Sequence, residues 1–192
     1  IIDSPFKLFK SWLDLALEID PENANAFVLS TVSSKNNPSS RVVLLRGILE
    51  KSFVFYTNYL SSKAKDLDEN KNVSLNFFWP YLEKQVRIKG VVSKLSDLES
   101  DTYFKSRPIS SQLGAHSSEQ SSSLPLNFSF DKIVNSLEEK YKNKDVGRPV
   151  FWGGYMIEIS YFEFWQGRPS RLHDRLCYTL VDGVWTIERL SP

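Results

Sequence analysis

The strongest constraint on this chain is a succession of short strand-like segments punctuated by turn residues, ending in the dipeptide Asp182-Gly183. Asp-Gly between Leu176–Val181 and Val184–Leu190 is a two-residue hairpin signal, because the favoured hairpin turns need positive φ at their central positions. Upstream, Ala26–Val32 is an apolar, β-branched run of strand length, and Ser33–Ser39 carries turn chemistry. Arg41–Leu49 begins a second strand. Ser52–Thr57 alternates, with Phe53 and Phe55 on one face and Val54 and Tyr56 on the other. Val73–Trp79 and Gln85–Leu95 follow, broken at Pro80, and Tyr155–Ser160 and Phe162–Gln166 precede the final hairpin.

Helices are inserted between these strands. Ser4-Pro5 reads as an N-cap with proline at the first helical position, and Phe6, Phe9, Trp12, Leu13, Ala16 and Ile19 keep helical spacing over residues 5–19. Lys63–Asn70 and Asp131–Tyr141 are two more helices. Ser96-Asp97-Leu98-Glu99 matches a capping box, so a helix runs from there to about Arg107, where Pro108 disfavours helical geometry and starts a turn. Residues 117–127 are serine-rich and form a loop. Strands joined mostly by short turns predict an antiparallel α+β domain rather than a doubly wound parallel sheet. Closing that sheet into a barrel removes exposed edges. No linker divides the 192 residues, so one domain over 1–192 is expected.

Composition excludes more than it identifies. Twenty-four basic residues against twenty-three acidic ones give no bulk attraction to nucleic acid or membrane. Cys177 is alone and cannot form an internal disulfide, which fits a reducing compartment, and two histidines leave little material for a metal site. No apolar run approaches the roughly 20 residues that span a bilayer. Lys7 and Lys10 interrupt the start, which does not resemble a signal peptide, so a cytoplasmic location is expected.

The chemistry concentrates in Phe162-Glu163-Phe164-Trp165-Gln166-Gly167-Arg168-Pro169-Ser170-Arg171-Leu172-His173-Asp174-Arg175. Three arginines supply planar cationic forks suited to phosphates and flat rings, and a histidine adds a group that titrates near neutrality. By themselves these residues fit an exposed basic loop anchored by tryptophan equally well. The string, however, closely resembles the C-terminal signature of the pyridoxamine 5'-phosphate oxidases, E-F-W-Q-x4-R-L-H-D-R, at every fixed position. The resemblance runs along nearly the whole chain, through Arg41-Val42-Val43-Leu44-Leu45 and Phe151-Trp152-Gly153-Gly154 to Arg189-Leu190-Ser191-Pro192.

The resemblance implies an antiparallel split β-barrel with peripheral helices, forming a homodimer with FMN at the subunit interface. It implies that Arg41 and Lys63, with Ser61, meet the FMN phosphate, that Val42 to Arg46 and Tyr56-Thr57 line the flavin, and that Gln85 hydrogen-bonds its ring system. Ser62, Gln120, Ser121, Trp165 and Arg175 complete that set, some from the partner chain. Arg46, Tyr103, Arg107 and Ser111 are the implied clamp for the substrate phosphate, while Arg171, Leu172 and His173 cover the pyridine ring, with Arg171 and His173 as catalytic residues. Spacing of four places Tyr103 and Arg107 on one helical face, and the break at Pro108 lets Ser111 turn toward them.

The implied reaction oxidises pyridoxamine or pyridoxine 5'-phosphate to pyridoxal 5'-phosphate, with oxygen reduced to hydrogen peroxide. Two positions depart from the family pattern: Arg46 stands where lysine is usual and Ser62 where arginine is usual. His116, near a common tryptophan position, is read as a loop residue and not a metal ligand. Two other classes compete: a non-catalytic flavin or pyridoxal-phosphate binder, and a nicotinamide-dependent flavin reductase. The intact Arg171-Leu172-His173 string argues against the first and the Tyr103–Ser111 clamp against the second.

Overall fold

The computed structural model describes residues 4–192. Helix α1 (Pro5–Ile19) starts as its sequence dictates: Ser4 Oγ accepts the Lys7 N–H, Pro5 occupies the first turn, and Phe9, Leu13 and Ala16 bury one stripe. The strands are β1 (Ala26–Val32), β2 (Pro38–Leu44), β3 (Gly47–Ile48), β4 (Ser52–Asn58), β5 (Asn72–Trp79), β6 (Lys84–Lys94), β7 (Trp152–Gln166), β8 (Asp174–Val181) and β9 (Val184–Leu190). They pair throughout in antiparallel fashion, in the order β2-β1-β5-β6-β7-β4-β3, with β8 on β7 and β9 on β8. This is the expected α+β split barrel.

The split has a visible cause. One edge of β7 pairs with β6, whereas the other pairs first with β4 over Trp152–Glu158 and then with β8 over Tyr161–Gln166. The β6–β7 register shifts at Lys89/Gly90. A Cβ on Gly90 would stand 2.3 Å from the Glu158 carbonyl oxygen, so only glycine permits this approach.

Several boundaries differ from expectation. The second strand begins at Pro38, not Arg41, and is interrupted after Leu44; proline is tolerated there because β2 is an edge strand. The two predicted strands before the final hairpin are one fifteen-residue strand, β7. Pro108 ends α3 (Asp97–Ser106) as expected but then opens a helix, α4 (Ile109–Ser117), which the sequence reading missed. Gln112 Nε2 donates to the Arg107 carbonyl at 2.8 Å and holds that corner. His116 therefore sits in the last turn of α4, not in a loop, with Nε2 2.7 Å from the Gly147 carbonyl. Helices α2 (Ser62–Glu69) and α5 (Asp131–Lys140) lie within a residue of their expected limits.

Phenylalanines dominate the core. Phe9, Phe53, Phe77 and Phe162 are fully buried, with Phe9 and Phe77 ring centroids 5.0 Å apart. Each such side chain contributes roughly 1.5–3 kcal/mol on burial. The alternation in β4 serves two layers: Phe53 and Phe55 enter this core, while Tyr56 packs against a second cluster containing Phe104, Leu113 and Trp152. Strand β4 thus carries a polar and aromatic end to the junction of the sheet with α2, α3 and α4.

Candidate functional site

At that junction a cavity of about 460 Å³ opens between the end of β4, the edge strand β2 and the α3–α4 corner. Its floor begins with a tight turn: Asn58 Oδ1 accepts the Leu60 N–H at 2.8 Å, and Ser61 Oγ donates to the Asn58 carbonyl at 2.7 Å. Ser61 also caps α2 by accepting the Ala64 N–H. This geometry turns Lys63 back into the protein, where its ammonium donates to Thr57 Oγ1 at 3.0 Å, Ser61 Oγ at 3.1 Å and Gln120 Oε1 at 2.8 Å. All three partners are neutral. Burial, reinforced by the charge of Arg41, pushes the Lys63 ammonium down to about 8. A buried cation held only by neutral oxygens at the start of a helix has the donor chemistry of a phosphate seat.

Arg41 is close enough for Lys63 to feel its charge, yet its guanidinium donates to Thr31 Oγ1 at 2.8 Å and the Leu29 carbonyl at 3.2 Å and does not line the cavity. Ser62 is exposed, and its N–H donates to Ser121 Oγ at 3.3 Å. Val42, Val43 and Leu44 line the cavity, with Val42 65% exposed, whereas Leu45 is buried in the main core.

The opposite wall holds a second cationic group. Tyr103, Arg107, Ser111 and Arg46 all line the cavity, so the capping-box helix and the Pro108 corner bring the four expected clamp residues together. Burial, opposed in part by Tyr103, pulls the Arg107 guanidinium below its ordinary range, and Arg46 adds like-charge repulsion. Arg107 Nη1 is buried without a hydrogen-bond partner. Tyr56 and Tyr103 stack at 3.8 Å, and Trp152 lies parallel to both rings.

The remaining expected residues cluster elsewhere. Gln85 on β6 faces Trp165 on β7, which faces Arg175 on β8. The His173 ring lies 4.6 Å from that of Trp165, and its Nδ1 accepts the Arg168 N–H at 3.1 Å. Arg175 donates to Glu163 at 2.9 Å and to the Ser191 carbonyl at 2.8 Å. Glu163 is buried between Arg87 and Arg175, both at 2.9 Å; burial alone would raise its carboxyl, but the two guanidiniums outweigh it and hold it low. Ser170 and Arg171 both take left-handed backbone conformations, at φ 59° and 62°, a strained turn for two successive residues with side chains. Leu172 is 68% exposed.

These two groups are far apart along one strand. Gly153, paired with Thr57, and Trp165, paired with Gln85, are twelve residues apart on β7, about 40 Å of strand contour. The sequence reading missed Trp152, although it falls in the quoted Phe151-Trp152-Gly153-Gly154 string, and Glu163, whose signal is a lone acid among strand aromatics. Among the described residues, no group of three His, Cys, Asp or Glu could hold a metal, and no helix is long and apolar enough to cross a membrane.

Comparison with known proteins gives a consistent assignment. The family described as pyridoxamine 5'-phosphate oxidase matches residues 17–141, and the pyridoxine 5'-phosphate oxidase C-terminal dimerisation region matches residues 152–192. The chain is 48% identical over 189 residues to the pyridoxine/pyridoxamine 5'-phosphate oxidase of Acaryochloris marina, covering 98% of this chain and 86% of that protein. It is 49% identical over 193 residues to the enzyme of the same name from Christiangramia forsetii, covering 100% and 90%. Among solved structures, PhzG from Burkholderia lata, crystallised with tetrahydrophenazine-1-carboxylic acid, aligns at TM-score 0.92 and 26% identity, covering 100% of this chain and 94% of that one. A pyridoxamine 5'-phosphate oxidase-related, FMN-binding protein from Nostoc punctiforme shares the fold at TM-score 0.81 and 15% identity, covering 100% of both chains.

Proposed function

The chain belongs to the pyridoxine/pyridoxamine 5'-phosphate oxidase family, and on that premise we propose that it oxidises pyridoxamine or pyridoxine 5'-phosphate to pyridoxal 5'-phosphate at an FMN site shared between two protomers. The observation that carries this reading is a pair of cations lining one cavity, buried Lys63 and half-buried Arg107, neither of which forms an ion pair among the described residues. The reaction needs two anionic seats, one for the cofactor phosphate and one for the substrate phosphate.

Bound FMN would supply two-electron oxidation at the substrate's C4' carbon, with electrons passing on to oxygen to give hydrogen peroxide. Lys63 and Ser61, at the positive end of α2, would hold the cofactor phosphate, with Arg41 adding charge from just behind them. Tyr56 and Thr57, with Val42 to Leu44, would line the flavin. Arg107, Tyr103, Ser111 and Arg46 would grip the substrate phosphate. With the amine substrate, the oxidation would give an imine, which water would hydrolyse to the aldehyde with release of ammonia.

Arg171 and His173 are assigned to the substrate ring. Because His173 Nδ1 accepts the Arg168 N–H, the neutral ring carries its proton on Nε2, the atom left to donate. Arg171 forms no ion pair among the described residues, leaving its fork for a ligand. The strand distance between this segment and the cavity is too long for one protomer to close on one small molecule. A partner delivering Gln85, Trp165, Arg171, His173 and Arg175 resolves that, and the match to a dimerisation region supports it.

The deciding experiment titrates purified protein with FMN, following the flavin spectrum, and then assays peroxide from both phosphorylated substrates. Peroxide with stoichiometric flavin is expected. A bound flavin that yields no peroxide from either substrate would leave a binding protein of this fold.

A further inference from the structure

Trp152 has no part in the proposed reaction, yet it lines the same cavity as Lys63 and lies against Arg107. It is the first residue of β7, paired with Asn58 of β4, and lines the cavity. Its backbone is pinned: the Trp152 carbonyl accepts Arg148 Nη1 at 2.6 Å, and Arg148 in turn binds Asp97 and Asp101 of α3, both at 2.6 Å. Its indole carries the guanidinium of Arg107 at 4.6 Å from the ring centroid, while Phe104 meets it edge-on at 5.2 Å. Tyr103 is parallel to the same indole within 3°, and Tyr56 within 10°.

A guanidinium has no preferred direction on its flexible stem. Laid flat on an indole it loses rotation out of that plane, and cation–π attraction in a desolvated setting is worth up to about 2 kcal/mol. Here the guanidinium sits over the indole with Nη1 buried and without a protein acceptor, ready for one from a ligand. We propose that Trp152 is a positioning residue that sets the substrate-phosphate specificity of the site, holding the Arg107 fork and the Tyr103 ring as one pre-formed anion clamp. The proposal rests on the assignment of Tyr103 and Arg107 to the substrate phosphate and deepens it.

The test uses FMN-loaded protein, so that the cofactor seat is filled, and two readouts. Calorimetric titration with inorganic phosphate reports the clamp without turnover; peroxide production from pyridoxamine 5'-phosphate and from dephosphorylated pyridoxamine reports specificity. Trp152→Leu is expected to weaken phosphate binding and raise KM for the phosphorylated substrate about tenfold, the equivalent of ~1.4 kcal/mol, with kcat within about twofold. Trp152→Phe keeps an aromatic face and should recover most of this, and it serves as the variant of record if the leucine protein does not fold. In an Arg107→Ala background, the Trp152 substitution should add less than about twofold, since a residue acting through Arg107 has nothing left to act on.

A fall in kcat with unchanged KM and unchanged phosphate affinity would overturn the proposal. So would full additivity with Arg107→Ala, the behaviour of a merely structural tryptophan. These results are separable from failure of the oxidase reading. A wild-type protein that binds phosphate through Trp152 and Arg107 but makes no peroxide would sink only the proposed reaction.

Discussion

The cavity beneath α2 and the segment after Trp165 are both rich in cations, and they treat them in opposite ways. In the cavity, Lys63 has three neutral partners and Arg107 has a buried unpaired nitrogen. In the C-terminal segment Arg175 is neutralised by Glu163, and Arg168 and Arg189 share Asp174 at 2.6 and 2.7 Å. An uncompensated buried charge is unfavourable unless a ligand of opposite sign completes it. The cavity leaves its cations without acidic partners, as the proposed phosphate sites require, whereas the C-terminal segment pairs its cations around a strained turn that carries Arg171. On the proposed function, one region would supply affinity for phosphates and the other geometry for a ring.

If these regions form one site across a dimer, two differently broken chains should mend each other. Lys63→Met and Arg171→Ala, each expected to show little activity alone, are co-expressed with different tags and the mixed dimer is purified. That dimer holds one site with both defects and one intact, so it should recover roughly half of wild-type activity per dimer. Mixed dimers no better than either parent would place both regions in one protomer's own site and overturn the shared-site reading. By themselves, Arg171→Ala and His173→Ala should lower turnover about a hundredfold, the scale of lost positioning, while flavin content stays near that of the wild type. Equal loss of flavin and turnover would make them cofactor ligands instead.

Lys63→Met tests the other region. Loss of a charged hydrogen bond at a buried seat corresponds to about 1.5–3 kcal/mol, so FMN affinity should fall roughly ten- to a hundredfold in a fluorescence-quenching titration. The pH dependence follows with a definite sign. Lys63 has dropped from an ordinary 10.5 to about 8, so between those values the folded apoprotein holds fewer protons than the unfolded chain and this group makes stability rise with pH. Phosphate binding favours the ammonium and reverses that preference. FMN should bind best below pH 8 and weaken by up to about tenfold per unit above it, a slope that Lys63→Met removes.

The difference between the regions also marks what the sequence reveals. Local signals were legible: the Ser96–Glu99 capping box forms both of its reciprocal bonds, and Asp182 and Gly183 take φ of 50° and 80°, as the hairpin turn requires. That Tyr103, Arg107 and Ser111 face one cavity was legible once the family resemblance, the helix spacing and Pro108 were combined. What stayed hidden depends on side-chain direction across strands. Arg41 turns toward Thr31 and Ser39 because its edge strand faces β1, and Trp152 meets Arg107 only after β4 pairs with β7. Helix α4 was missed because Ile109–Ser117 has no strong apolar period; Pro108 and the Gln112 side chain hold its start instead.

The smallest expected effect concerns Ser62, where the family usually carries arginine. Were that position buried, the missing cation would cost FMN binding as much as Lys63 does. It is exposed, however, and its backbone N–H already engages Ser121. Exposed ion pairs are worth about 0–1 kcal/mol, because water screens them and a long side chain must be ordered. Ser62→Arg should therefore tighten FMN by no more than about fivefold at low salt, with the gain fading as ionic strength rises. A gain nearer a hundredfold that survives high salt would mean that position 62 closes over the phosphate, and that the cavity completes its charge on cofactor binding rather than being pre-formed.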